Sequence, residues 1–161
     1  PAYKRDDPAS ERQPVNLGVG IHIGQLVLGT IGRETRMETT VISDTVNASA
    51  RLENLNKTYK TNVLISGAVR DELSPDIQSF CRLIDRTQVK GKVEFLDVYE
   101  VYLTDNEALA KAKSKSKKVL TSIVDSYYLG DIKAAKKRLG ELEDDTKKDT
   151  VISFWKNRLK T

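Results

Sequence analysis

Asn47 and Arg51 lie four residues apart in the run TTVISDTVNASARLENL, residues 39–55. On a helix that spacing stacks an amide and a guanidinium one turn apart on one face. A guanidinium stays charged and presents a planar fork of donors, which suits a phosphate or a carboxylate. The residue types alone leave two uses open: holding an anion, or a surface ion pair with Glu53 or Glu38. Periodicity by itself favours the ion pair.

Other reactive side chains are sparse. His22 is the only histidine, and it alternates with Val19, Ile21 and Ile23 in a strand-like run. A metal site needs further ligands at fixed spacing, so a structural or surface role is expected. Cys81 is the single cysteine, which excludes a disulfide framework and points to a reducing compartment. A small buried apolar side chain is the expected reading, ahead of a reactive thiol. Gly18, Gly20 and Gly24 fall inside a strand pattern, whereas a dinucleotide loop needs a strand-to-helix turn. Close approach of another backbone within a sheet explains them better. No Walker loop, nucleophile elbow or metalloprotease motif is present.

The elements that must position Asn47 and Arg51 can be read from periodicity. Val15, Leu17, Val19, Ile21 and Ile23 alternate as a strand, Gly24-Gln25 reads as a hairpin tip, and LVLGTIG as the returning strand. METTVI reads as a short strand running into a helix capped by Ser43 or Asp44. Ala48, Leu52, Leu55 and Tyr59 form the apolar stripe of that helix, and Asn47 and Arg51 sit on its shoulder. TNVLIS is a strand, Gly67 to Leu73 a short helix, and FCRLIDRTQV and EFLDVYEVYL are strands joined by a turn at Lys90-Gly91-Lys92.

After Thr104 the pattern turns helical and basic. Residues 1–104 carry 13 basic and 14 acidic side chains and residues 105–161 carry 14 and 9, so the net charge of +4 arises in the tail. KAKSKSKK, residues 111–118, reads as a solvated basic run at the start of a helix or linker, serving as a solvated face or a tether near anionic lipid. Leu120, Ile123, Val124 and Tyr127 precede a break at Leu129-Gly130-Asp131, Ile132, Ala135, Leu139 and Leu142 follow, and Val151, Trp155 and Leu159 suggest a third helix. The tail resembles one tetratricopeptide-like helical hairpin, which must bury its stripe against something. It lacks the aromatic interleaving and reading helix of a nucleic-acid binder, so no nucleic-acid partner is expected. The 161 residues, 39% apolar and 31% charged, suit a globular protein, and no run reaches the roughly 20 apolar residues of a membrane span. The organisation expected is a polar lead-in over 1–14, a domain over 15–104 and a helical tail over 105–161.

METTVISDTVNASARLENL resembles the signature of the class III adenylyl and guanylyl cyclases, T-V-I-G-D-T-V-N-x-A-x-R-L-E. LGVGIHIGQLVLGTIG resembles the hairpin that precedes it in that family, and VKGKVEFLDVYEV resembles the closing V-K-G-K…Y-E-V. The three segments come in the family's order over roughly Val15 to Leu103. The resemblance implies an α+β, ferredoxin-like fold with a mostly antiparallel sheet and flanking helices, here followed by the helical hairpin. It also implies a lyase of cyclic-nucleotide signalling that converts ATP to 3′,5′-cyclic AMP and pyrophosphate. By resemblance Arg51 bonds the α-phosphate in the transition state, Asn47 orients the ribose, Lys92 binds the outer phosphates and Thr40 selects the base. A threonine hydroxyl accepts from the adenine amino group, which favours adenylate over guanylate cyclase.

Two departures qualify this reading. Ser43 stands where the family has glycine. The family's metal-binding aspartates for Mg²⁺ or Mn²⁺ lie in an N-terminal half that nothing here resembles, and Asp6 and Asp7 sit in the polar lead-in rather than on an apolar strand. The chain begins at Pro1 without methionine and reads as part of a longer cytoplasmic protein, membrane-anchored only through segments upstream. It is expected to work as a homodimer and to be inactive alone. The alternative is a cyclase homologue serving only regulation or dimerisation.

Overall fold

The computed structural model describes residues 17–33, 36–42, 44–88, 95–142 and 149–160. In chain order these form β1 (Val19–Ile21), β2 (Val27–Arg33), β3 (Arg36–Ile42), α1 (Asp44–Tyr59), β4 (Val63–Ser66), α2 (Gly67–Glu72), α3 (Pro75–Ser79), β5 (Cys81–Gln88), β6 (Phe95–Val101), α4 (Glu107–Tyr128), α5 (Ile132–Gly140) and α6 (Thr150–Arg158). The architecture is α+β. A four-stranded sheet runs in the order β1-β4-β6-β5, and β2 and β3 form a separate two-stranded ribbon. Only the β1–β4 pairing is parallel; the others are antiparallel.

The hairpin expected at Gly24-Gln25 is not formed. Residues 22–26 are an irregular connection, β1 pairs with β4, and β2 turns back onto β3 instead. Helix α1 explains the difference, because it crosses β1 at Gly20. A Cβ there would lie 2.2 Å from the Glu53 backbone nitrogen and 2.5 Å from the Ser49 carbonyl oxygen. The close backbone approach expected at the three glycines is present at Gly20, where the approaching chain is a helix rather than a strand, whereas Gly18 and Gly24 face the side chains of Asn56 and Thr45. Asn56 fastens the crossing, its side-chain amide donating to the Val19 carbonyl at 3.0 Å.

Of the stripe, Ala48, Leu52 and Tyr59 are buried and Leu55 is half-buried, and Leu52 and Tyr59 meet the sheet and the tail in one interior. A single apolar cluster joins Leu52, Leu64, Ile84 and Val98 to Leu120, Ile123, Val124 and Trp155. The tail helices thus lie on the sheet as expected. Gly130, at φ +82°, makes the α4–α5 turn, and Asp131 caps α5 by accepting from the Ala134 N–H at 2.9 Å. Left-handed backbone at that turn is the reason for a glycine there. The short helix expected over Gly67 to Leu73 is present as α2, and a further short helix, α3, follows it with Pro75 at its first position.

The basic run 111–118 is neither linker nor wholly solvated. It lies inside α4, which Asn106 caps by accepting from the Leu109 N–H at 3.0 Å. Alanine and lysine are good helix formers, so the run propagates the helix. Lys113 and Ser116 fall on the same face as Leu120 and Ile123, and both are buried. Lys113 reaches Glu100 at 2.6 Å and Asp105 at 2.5 Å. Burial of a lysine is tolerated when its charge is paired in this way. Among the described residues no helix is long and apolar enough to cross a membrane.

Candidate active site

Helix α1 has two unlike sides. One packs Ala48, Leu52, Asn56 and Tyr59 inward, while Asn47 and Arg51 are exposed on the other. With about 1.5 Å of rise per residue, the two polar side chains start about 6 Å apart along the axis. The N-terminal turn is fastened by Thr45, whose hydroxyl donates to the Gln25 carbonyl at 2.9 Å. The turn also carries Asp44, where a negative charge suits the positive end of the helix dipole.

Arg51 does not pair with Glu53. Its Nε donates to the Thr87 hydroxyl on β5 at 2.6 Å, and this is its one hydrogen bond among the described residues. Thr87 is buried, at 7% exposure, so the bond anchors the inner part of an otherwise exposed guanidinium. Thr40 sits on β3 opposite Gly29, two residues before the strand ends at Ile42 and α1 follows. Its side chain is outside the described part. Lys92 lies in 89–94, outside the described residues, between the end of β5 at Gln88 and the start of β6 at Phe95. Asn47 and Arg51 are therefore brought to one face, and Thr40 precedes them in the chain.

The side chains that hold this face steady include several that sequence reasoning missed. Asp85, on β5 beside Thr87, is 2% exposed. Its carboxylate accepts from the Tyr59 hydroxyl at 2.6 Å, the Tyr128 hydroxyl at 2.9 Å and Arg158 at 2.7 Å. Helices α1, α4 and α6 thus converge on one carboxylate. Burial, and next the Asp85 charge, push the Tyr59 phenol far above its ordinary pKa and the Tyr128 phenol up to about 12. A bulge between Leu83 and Asp85 interrupts the β5 ladder, and the Ile84 carbonyl accepts from the Trp155 indole at 2.8 Å.

The other missed cluster lies at the start of β5. Arg82, fully buried, bonds Glu100 on the neighbouring strand at 2.7 Å and Asp149 at 2.5 and 2.9 Å. Burial alone would lower its pKa, but the bonds to Asp149 and Glu100 outweigh that and hold it above the ordinary value. Its one advance signal was opposite charges in apolar strand patterns: Arg82 and Glu100, each flanked by apolar residues. Cys81 is buried, as its type suggested, and burial pushes its thiol pKa up. His22 hydrogen-bonds Ser66 through Nδ1 at 2.9 Å. Among the described residues no group of three or more His, Cys, Asp or Glu side chains could hold a metal ion.

Fold and surface together define an α+β domain that presents a guanidinium and an amide on one open helical face. The adenylate and guanylate cyclase catalytic domain family matches residues 4–105, and the chain belongs to that family. An adenylate cyclase of Anabaena cylindrica is 44% identical over 88 residues, which are 54% of this chain and 18% of that protein. The terminal-differentiation-specific adenylate cyclase of Dictyostelium discoideum is 38% identical over 102 residues, 63% of this chain and 5% of that protein. The chain therefore spans under a fifth of the length of these relatives. A solved bacterial light-regulated adenylyl cyclase aligns with a TM-score of 0.45 at 23% identity, over 62% of this chain and 28% of that one. The family generally works with divalent metal ions, but the described residues of this chain do not fit a metal site.

Proposed function

We propose that this chain forms the transition-state face of an adenylate cyclase, which closes ATP to 3′,5′-cyclic AMP and releases pyrophosphate. The observation that carries the reading is the exposed Asn47–Arg51 pair, with Arg51 anchored at Nε and its two terminal nitrogens at the outer end of the guanidinium. In the reaction the ribose 3′-hydroxyl oxygen forms a bond to the α-phosphorus as the bond to the β-phosphate bridging oxygen breaks, and the hydroxyl proton passes to water or to the departing pyrophosphate. Negative charge grows on the oxygens around that phosphorus. A fixed cationic donor lowers the barrier because its contact strengthens as the charge develops. Arg51 takes that role and Asn47 orients the ribose. Lys92 holds the departing phosphates, and Thr40 accepts from the adenine amino group. A second cyclase surface, across a two-fold dimer, supplies the metal-holding carboxylates. Helices α4 and α6 brace the sheet beneath.

The test is Arg51→Ala in the assembled enzyme with ATP. Loss of one such donor lowers kcat by roughly 10²–10³ with a much smaller change in KM. A variant with near-normal kcat removes Arg51 from the transition state. Turnover of GTP in preference to ATP moves the assignment to guanylate cyclase.

A further inference from the structure

We infer that Thr87 is a positioning residue for the reaction, acting through Arg51; the inference rests on the role proposed for that arginine. The Thr87 hydroxyl accepts from Arg51 Nε at 2.6 Å. An arginine on an exposed helix face samples many rotamers, and pinning Nε removes most of that freedom. It leaves the terminal fork as the part that meets an anion, with its plane fixed by the bond behind it. Such pre-orientation matters because a displacement near 1 Å at a reacting centre costs large factors in rate.

Thr87 is itself held. It is buried at 7% exposure and lies opposite Leu96 in the β5–β6 ladder. The next residue back, Arg86, bonds Asp97 at 2.8 Å and Asp125 at 2.7 Å, and its carbonyl accepts from the Tyr128 hydroxyl. Helix α1 is fixed independently, by its crossing of Gly20 and by the Tyr59–Asp85 bond. The Arg51–Thr87 bond therefore joins two elements that cannot drift apart. Thr87 also stands five residues before Lys92 in the chain, the second proposed phosphate ligand. A valine of equal shape keeps the packing at this site and loses the acceptor, while a serine keeps the acceptor.

The experiment compares Thr87→Val, Thr87→Ser, Arg51→Ala and the double variant Arg51→Ala/Thr87→Val in the assembled enzyme with ATP. The expected result for Thr87→Val is a kcat roughly 10- to 100-fold lower with KM within about twofold. Thr87→Ser restores most of the rate, and Thr87→Val costs nothing further once Arg51 is alanine. Normal turnover by Thr87→Val beside a damaged Arg51→Ala overturns the positioning role and spares the proposed function. Equal damage from valine and serine means Thr87 matters only for packing, which also overturns it. If Arg51→Ala itself turns over normally, the functional reading fails and Thr87 falls with it. In the 161-residue chain the Arg51 Nε–H proton should exchange slowly with water. Thr87→Val should make that exchange fast, whereas unchanged exchange overturns the bond directly.

Discussion

Two arginines in this chain have opposite surroundings. Arg82 sits in the seam between the sheet and the tail, fully buried, with all three guanidinium nitrogens bonded to Glu100, Asp149 and Ser116. Arg51 sits on the open side of α1, with Nε bonded to Thr87 as its one described hydrogen bond. A buried guanidinium must have its donors satisfied or the fold bears the desolvation cost. An exposed one can hold unused donors because water satisfies them until a ligand arrives. The seam therefore fixes geometry, and the open face is where the proposed function places the chemistry. Strand β5 connects the two regions, with Arg82 near one end and Thr87 near the other.

The comparison is broken most severely at the seam. Asp149→Ala leaves Arg82 without its two-pronged partner and removes the cap that accepts from the Val151 and Ile152 N–H groups. Taking one partner from a buried pair costs about 3–5 kcal/mol. Urea unfolding should show that loss, with a lower midpoint and little change of slope. A loss under about 1 kcal/mol would mean that the seam is not closed in solution.

Trp155→Phe should cost less, about 1–3 kcal/mol, because it removes one donor and leaves the Ile84 carbonyl buried at the bulge. Trp155 is the only tryptophan and is fully buried, so the native chain should emit at short wavelength and resist iodide quenching. Water-like emission with easy quenching would show that α6 is not docked.

A smaller effect is expected at alkaline pH. The Tyr128 phenol is held near pKa 12 in the fold against 10.0 ordinarily, and Tyr59 is raised further. Between those values the folded chain keeps protons that the unfolded chain releases. For Tyr128 this stabilisation is complete below pH 10 and is lost as the pH rises through about 12, and the Tyr59 share is lost at higher pH still. Tyr128 is only partly buried, so solvent screening reduces the size of the effect. The double variant Tyr59→Phe/Tyr128→Phe should flatten this part of the stability profile measured in urea. An unchanged slope would rule out the cluster around Asp85 as its source.

What could be read in advance divides along the same line. The α1 stripe, the strand β4, the tail helices and the break at Gly130 all follow from local periodicity and turn chemistry, and all are present. The placement of Asn47 and Arg51 on one exposed helical face was legible because it depends only on their local spacing. The β1–β4 pairing was not, since it joins residues 19 and 63 through the space beside α1. The burial of Lys113 was hidden for a related reason. Its charge suggested solvent, although it lies seven residues before Leu120 on the same helical face. Only the three-dimensional fold brings Glu100 and Asp105 to it. Thr87 reads in the sequence as one polar residue in a strand, and its bond to Arg51 appears only when that residue arrives from 36 residues away.

The sharpest form of the comparison is the smallest stability change. Arg51→Ala removes one side-chain hydrogen bond and no buried charge, and it deletes an exposed side chain. The Thr87 hydroxyl would lose a partner, but truncating Arg51 opens it to solvent, and a water molecule can take the place of Nε. Alanine is also the better helix former at an exposed position. The net cost should therefore stay under about 1 kcal/mol. Urea unfolding of the 161-residue chain checks this directly, beside Asp149→Ala under the same conditions. If Arg51→Ala destabilises the fold as much as the seam variant does, Arg51 is a structural residue, and the division between a satisfied interior arginine and a poised surface one disappears. If stability holds while kcat in the assembled enzyme falls, the function of Arg51 lies in what it meets beyond the chain rather than in the fold itself.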